Sequence, residues 1–346
     1  MRTAMDVALL SRPNPSSGTP IYLQLVDQVK RGLETGALRP GDELPAIPPV
    51  AEALVVPPAA VARAYRELEV RRLAVRTGGL LYASAAAPRP EHTRSTVAVS
   101  ALGARELERA EEVQRCLLPR TDAPMEGLDY AGLSRAALGV GGDYYDFVPL
   151  PNRRIAIALG DVCGKGVPAA ILMAALRGYL HGVTMDRQGD PRALVDALNR
   201  HLHASVPASR FATLFYGVYD LSTRILDYVN AGHLPPVLLR HEASGVRRYR
   251  LDTGGPALGM MPEAQYMSAR IALEPGDLLV SVTDGVTEAQ NAAGDEWGDE
   301  QLCRGLEAIG AGSASDIADR VLAAACRFAG NVPQFDDMSV AVVRVL

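Results

Sequence analysis

Residues 154–166 read RIAIALGDVCGKG: an apolar run that ends on Gly160-Asp161 and passes through a glycine-rich turn. A helical stretch follows at about 168–184. The run predicts a strand over 154–160. An ionised side chain does not enter the core that such a strand builds, so Asp161 belongs at its rim. The glycines beyond it let the backbone approach a ligand and leave a carbonyl exposed. The segment superficially resembles a nucleotide-binding P-loop. Leu159 stands where that motif needs glycine, and Gly166 where it needs Ser or Thr, so that reading fails.

The same texture recurs on both sides. Asp143 lies in Gly141-Gly142-Asp143-Tyr144-Tyr145-Asp146, Asp284 in Thr283-Asp284-Gly285, and Asp336 and Asp337 precede Met338-Ser339-Val340. Each flanks an apolar strand. Strands are expected in adjacent pairs at 128–134, 144–149 and 154–160, then 212–219 and 225–230, then 278–283 and 339–345. Helices are expected at 168–184, 191–205, 299–309 and 315–329. The second of these carries Asp190 as N-cap and Pro191 at its first position. Paired antiparallel strands with blocks of helices predict an α+β sandwich. Carboxylates gathered at one rim repel unless protonated or neutralised by cations. Hard oxygen ligands suit Mg²⁺ or Mn²⁺. A pair of such ions orients in-line attack of water on a phosphoryl group. One Asp-Gly taken alone is an ordinary turn; the set of four in this context is not.

The remaining features frame this core. The chain has 346 residues, enough for two domains, a net charge of −5 and a pI near 5.8, which gives the whole chain no electrostatic pull toward nucleic acid or anionic membrane. Cys116, Cys163, Cys303 and Cys326 form no CxxC pair and no zinc spacing, which fits a reducing compartment. The sequence lacks an apolar signal core and a membrane-length apolar run, so a cytoplasmic protein is expected.

Residues 112–346 resemble the PPM family of metal-dependent serine/threonine protein phosphatases, in the branch of the sporulation stage II E and sigma-factor-regulating enzymes. The resemblance rests on Gln114…Leu117-Leu118-Pro119, GGDYYDF (141–147), GDVCGKG (160–166), Arg210-Phe211-Ala212-Thr213, Asn230-Ala231-Gly232-His233, Pro275-Gly276-Asp277, TDGVTE (283–288) and DDMSV (336–340). It implies an α-β-β-α sandwich with two Mn²⁺ or Mg²⁺ ions in a cleft at one edge. Asp161 would bridge both ions. Asp143 and the Val162 carbonyl would complete one side, and Asp284 and Asp336 would hold the other. Asp146 and Asp337 are second choices, the latter as a partner that orients its neighbour. Cys163 is given no nucleophilic role, Lys165 is read as a solvated helix-start lysine, and His233 as part of a structural corner. The implied substrate is a phosphoserine or phosphothreonine protein, an anti-sigma-factor antagonist in this branch.

Residues 20–83 resemble the GntR-type winged helix. The carrying residues are Pro20-Ile21-Tyr22, Leu38-Arg39-Pro40-Gly41-Asp42-Glu43-Leu44-Pro45 and Val61-Ala62-Arg63-Ala64-Tyr65-Arg66-Glu67-Leu68. Tyr22, Leu25, Val26, Val29 and Leu33 share one helical face, and Gly78-Gly79 signals a hairpin. DNA contacts are depleted. Pro57 and Pro58 remove two N–H donors at the recognition-helix start, and Ala59 and Ala60 cannot hydrogen-bond base edges. Residues 1–87 hold ten Lys/Arg against eight Asp/Glu. The expected organisation is a flexible tail (1–18), the winged helix (19–84), a linker (85–100), an amphipathic helix (101–119) with Leu102, Ala110, Val113 and Leu117 as its stripe, and the phosphatase domain (120–346). A homodimer through the N-terminal module or the connecting helix is expected, with that module regulating the enzyme. The alternative is a DNA-binding transcriptional regulator with a phosphatase-like effector domain.

Overall fold

The computed structural model describes residues 10–13, 21–70, 73–77, 80–84, 101–119, 125–186, 190–206, 210–243, 245–309 and 312–346. Most of the expected tail, the Gly78-Gly79 turn and the 85–100 linker lie outside the described residues. The chain divides into two compact units, Met1–Val97 and Ala98–Leu346.

In the first unit, α1 (Ile21–Thr35), α2 (Ile47–Leu54) and α3 (Pro58–Val70) precede an antiparallel pair, β1 (Ala74–Thr77) and β2 (Leu80–Ala83). That order is a winged helix. Tyr22, Leu25, Val26 and Val29 of α1 meet Val61, Tyr65 and Leu68 of α3 in its core, the faces that the 3.6-residue spacing selects. Gly36 (φ 75) terminates α1 in the left-handed region, as a C-terminal glycine does. The turn between α2 and α3 is unusual. It is made by Val55 at φ 54, a β-branched residue in the left-handed region, with 67% of its surface exposed.

The second unit begins with α4 (Ala101–Leu117) and is built around two sheets. The first holds β4 (Tyr144–Leu150), β5 (Arg154–Val162), β6 (Ala212–Asp220), β7 (Ile225–Ala231) and β10 (Gly254–Gly255) in the order β10-β7-β6-β5-β4, with β11 (Ala269–Ala272) also on β7. The second runs β3-β13-β12-β8-β9: β3 (Leu128–Arg135), β13 (Met338–Val345), β12 (Leu278–Val282), β8 (Val237–Glu242) and β9 (Gly245–Arg250).

Strand alternation sorts the residues into layers. Ile155, Ile157, Leu159 and Phe215 of the first sheet face Tyr130, Leu238, Leu279 and Val343 of the second. Ala156, Ala158 and Tyr216 face outward onto Met173 and Leu180 of α5 (Val167–Asp186) and Leu194, Leu198 and Leu202 of α6 (Pro191–Ser205). Val280, Val282, Val340 and Val342 face Leu302 and Leu306 of α8 (Gly298–Ile309) and Ile317 and Val321 of α9 (Ala314–Ala329). The result is an α-β-β-α sandwich in which the central strands are covered on both faces and read as unbroken apolar runs, while β9 and β11 at the margins are partly exposed. Asp190 caps α6 by accepting from the Ala193 N–H at 3.0 Å.

Two features differ from expectation. Val113 of α4, assigned to the apolar stripe, is 63% exposed, and Gln114 makes the inward contact instead. The stretch after Thr283, to which the sequence assigned no element, is a short helix, α7 (Asp284–Thr287). Among the described residues no helix is long and apolar enough to cross a membrane.

Candidate metal centre

The sandwich brings the ends of β5 and β12 and the starts of β4 and β13 to one edge. Each contributes an aspartate. Antiparallel pairing of β5 with β6 places Asp161 opposite Thr213, one pair before the ladder ends at Val162 and Ala212. The Val162 N–H bonds the Gly142 carbonyl at 3.3 Å, drawing the loop before β4 onto the end of β5. A Cβ at position 142 would lie 2.6 Å from the Val162 carbonyl oxygen, and one at 141 would lie 2.3 Å from Asp337 Oδ2. The paired glycines of the GGD segment are therefore required by close approach, and they leave the Val162 carbonyl facing the cleft loop rather than a side chain.

Asp143 is 5% exposed, and its Oδ2 accepts a 2.8 Å hydrogen bond from Thr283 Oγ1 of the opposite sheet. Its pKa is raised well above the usual carboxylate range, first by burial and then by the charges of Asp161 and Asp337; hydrogen bonds from Ser339 and Thr283 oppose the shift. Asp337 is also raised, chiefly by burial and also by Asp284. The Ala137 and Gly142 N–H groups, both at 2.8 Å, and Lys165 pull it the other way. Thus Asp143 feels the charges of Asp161 and Asp337, and Asp337 that of Asp284, although the four come from separate strand ends. The loop amides that Asp337 accepts make it the residue that fixes the 137–142 loop.

Asp284 begins α7, and Gly285 is pressed against the start of β13: a Cβ there would lie 2.1 Å from the Asp337 carbonyl oxygen. Asp336 is bonded by Lys165 Nζ at 3.1 Å. The same ammonium donates to the Phe335 carbonyl and sits 3.5 Å from the centre of the Phe335 ring. Lys165, read from sequence as solvated, is instead fastened to the segment that carries Asp336.

Asp146 goes elsewhere. Alternation turns it to the outer face of the first sheet, where Tyr144 Oη, His181 and the Phe147 N–H bond it and Arg177 Nε lies 3.9 Å away. It ties β4 to α5 and does not join the other aspartates. Cys163 is buried, with its sulfur accepting from the Phe211 N–H at 3.2 Å; this is a role in the β5–β6 junction.

Among the described residues no three His, Cys, Asp or Glu side chains are drawn together tightly enough to share one ion as they stand. Thr283 holds Asp143, Lys165 holds Asp336, and the loop amides hold Asp337. Like charges at this spacing stand off from one another. The donors themselves fit a hard divalent cation: carboxylate oxygens and a backbone carbonyl, with no thiolate.

A residue that the sequence reading set aside also reaches this edge. His233 is 6% exposed, its Nδ1 is 2.9 Å from Thr213 Oγ1, and its Nε2 is buried without a hydrogen-bond partner. Burial lowers its pKa to about 4, against the upward pull of nearby Asp284 and of the Val282 carbonyl. On the other side, Gln114 of α4 donates to the Gly141 carbonyl at 2.7 Å and accepts from the Gly141 N–H at 3.0 Å. A cavity of about 260 Å³ beside this clamp reaches Ser134, Asp143 and Asp337.

The stage II sporulation protein E (SpoIIE) family matches residues 151–346. Protein IcfG of Synechocystis is 32% identical over 264 residues, 69% of this chain and 41% of IcfG. The phosphoserine phosphatase RsbU of Bacillus subtilis is 34% identical over 189 residues, 55% of each protein. The chain therefore spans about half the length of these curated relatives. Among solved structures, the SiaA-PP2C domain of Pseudomonas aeruginosa superposes with a TM-score of 0.63 at 20% identity, over 72% of this chain and all of that domain. It shares the fold of the sandwich. A shorter match, 41% identical over 56 residues, links 16% of the chain to 43% of the HTH-type transcriptional repressor YtrA of Bacillus subtilis. The matched stretch takes in β5, β12 and β13 with three of the four aspartates at the cleft, and on that ground the chain belongs to the stage II sporulation protein E family.

Proposed function

We propose that this protein is a metal-dependent serine/threonine protein phosphatase acting on a phosphorylated regulatory protein, an anti-sigma-factor antagonist in a partner-switching pathway. The observation that carries the reading is the convergence of acidic strand ends from both sheets on one edge of the sandwich. Similarity to a relative named a phosphoserine phosphatase supports the substrate class.

In this reading Asp161, Asp143, the Val162 carbonyl, Asp284 and Asp336 would hold two Mn²⁺ or Mg²⁺ ions. When bound, the pair supplies Lewis-acid activation of water and neutralises the phosphoryl charge. The chain's own residues hold this arrangement. Thr283 aims the Asp143 carboxylate across the sheets, Asp337 pins the 137–142 loop through two amides, and Gly285 lets the Asp284 and Asp336 segments touch. Lys165 balances the charge of Asp336.

The winged helix acts as a regulatory module, and a homodimer forms through it or through α4. The test is Mn²⁺-dependent release of phosphate from a phosphoserine peptide by the full chain. Activity is expected to vanish in EDTA and in Asp161→Ala, with the fold retained; full activity in EDTA would overturn the reading.

The YtrA similarity favours a second reading, a DNA-binding regulator with a phosphatase-like effector. It requires sequence-selective, salt-sensitive binding to duplex DNA. A flat titration at low salt removes it.

A further inference from the structure

The Asn230-Ala231-Gly232-His233 corner is fixed more tightly than a connection needs. Asn230 accepts from the His233 N–H at 2.8 Å and donates to the Leu251 carbonyl at 3.1 Å. Gly232 sits at φ 68, with its Cβ position 2.7 Å from the Ala257 nitrogen. Gly254 approaches so closely that a Cβ would fall 1.8 Å from the Asn230 carbonyl oxygen. Every freedom that would let the imidazole swing away is removed.

The ring lies between the two sheets. On one side its Nδ1 is 2.9 Å from Thr213 Oγ1, and Thr213 is the strand partner of Asp161. On the other it is close to Asp284 and to the Val282 carbonyl, at the end of β12. A threonine hydroxyl that donates to Nδ1 leaves the ring proton on Nε2. That nitrogen is buried without a partner, and a buried N–H lacking an acceptor is costly. The groups that could accept from it are the Val282 carbonyl and the Asp284 carboxylate, whose charge the ring feels.

We infer that His233 is a positioning residue of the cleft: Thr213 holds the ring so that its free Nε2–H is offered to the Asp284 carboxylate, and the sheet bearing Asp161 and the sheet bearing Asp284 are thereby kept in register. The inference rests on the cation-site reading above and assigns His233 no proton transfer to substrate. Histidine–carboxylate pairs of this kind orient ligands, and their loss lowers metal affinity about 10–100-fold.

The experiment is calorimetric titration of the EDTA-stripped full chain with Mn²⁺, beside turnover of a phosphoserine peptide at saturating Mn²⁺. His233→Ala is expected to weaken Mn²⁺ binding about 10–100-fold, with kcat recovering at saturation and the pH profile unchanged. His233→Gln places an N–H near the Nε2 position and restores most of the affinity, whereas His233→Asn does not. Thr213→Val weakens binding in the wild-type background and has no further effect in His233→Ala. Should His233→Ala fail to fold, the Gln, Asn and Thr213→Val variants decide the matter. Unchanged Mn²⁺ affinity in the variants, or a kcat that stays low at saturation with one limb of the pH profile lost, overturns the inference. Wild-type protein whose Mn²⁺ affinity depends on His233 but which releases no phosphate overturns the phosphatase reading alone. Normal turnover with Mn²⁺ affinity indifferent to His233 overturns this inference alone.

Discussion

Gly285→Ala tests whether the cleft depends on direct contact between the β12 and β13 segments. The added methyl would lie 2.1 Å from the Asp337 carbonyl oxygen, 2.9 Å from its carbonyl carbon and 3.2 Å from that of Asp336. All three atoms are backbone, so no side-chain rotation relieves the contact. Reaching ordinary contact at 3.4 Å requires the segments to separate by about 1.3 Å. Overpacking of this kind costs about 1–3 kcal/mol. At roughly 2–4 °C per kcal/mol for a unit of this size, the melting temperature falls by about 2–12 °C. The functional loss is expected to be larger, because a misplacement of about 1 Å at a reacting centre lowers the rate about 100-fold. Asp284 and Asp336 are the residues moved apart, so Mn²⁺ affinity should weaken together with kcat. Thermal melts in EDTA, Mn²⁺ calorimetry and phosphopeptide turnover measure the three effects. A variant with wild-type Mn²⁺ affinity and turnover would refute the reasoning, since it would mean that the contact is not needed to place the two carboxylates.

Asp277→Ala is expected to destabilise the protein by about 1–3 kcal/mol in urea, because Arg240, whose Nε and Nη2 reach the buried carboxylate at 2.9 and 2.6 Å, keeps only the Glu274 carboxylate and the Ala272 carbonyl. Asp277 precedes β12 and Asp284 follows it, so Mn²⁺ affinity is expected to hold. For Asp143 the folded pKa is raised above an ordinary value near 3.8. The unfolded chain therefore loses this proton first, and in EDTA stability falls as pH rises above about 4, until the folded carboxyl ionises as well. Asp143→Asn removes that contribution, so the variant's melting temperature should gain on the wild type as pH rises; parallel curves would contradict the assignment. Val55→Gly relieves a left-handed β-branched residue and should stabilise the winged helix by up to about 1 kcal/mol, the steric gain exceeding the entropy of glycine, as read from thermal melts.

The elements that the sequence declared are those buried on both faces. The runs 154–160, 212–219 and 339–345 carry no polar alternation, and all became interior strands of the sandwich. β8 and β9 escaped notice because Arg240, Arg247, Arg248 and Arg250 interrupt the pattern. β9 lies at the edge of its sheet, where charge is tolerated, and Arg248 and Arg250 pair with Glu307 and Asp299 of α8. The aspartates were legible because a carboxylate at the end of an apolar run has few explanations. Their separate duties were not, since DD at 336–337 does not say which side chain turns toward the loop amides. Asp146, a second choice in sequence three residues from Asp143, faces α5 because of strand parity. His233 and Lys165 were underestimated for a different reason: their partners, Thr213 and Asp336, are 20 and 171 positions away and no local pattern names them.

The second sheet has an order with a temporal cost. β3 takes β13 as its strand partner, from Arg135 with Met338 to Leu128 with Val345. Roughly 200 residues separate them, which at 5–20 residues per second is about 10–40 s of synthesis. Throughout that interval β3 presents an unsatisfied row of amides and carbonyls, and the cleft lacks Asp336. A young chain is thus both catalytically incomplete and sticky along one strand, and shielding of that edge during translation should matter more to yield than any later step in folding.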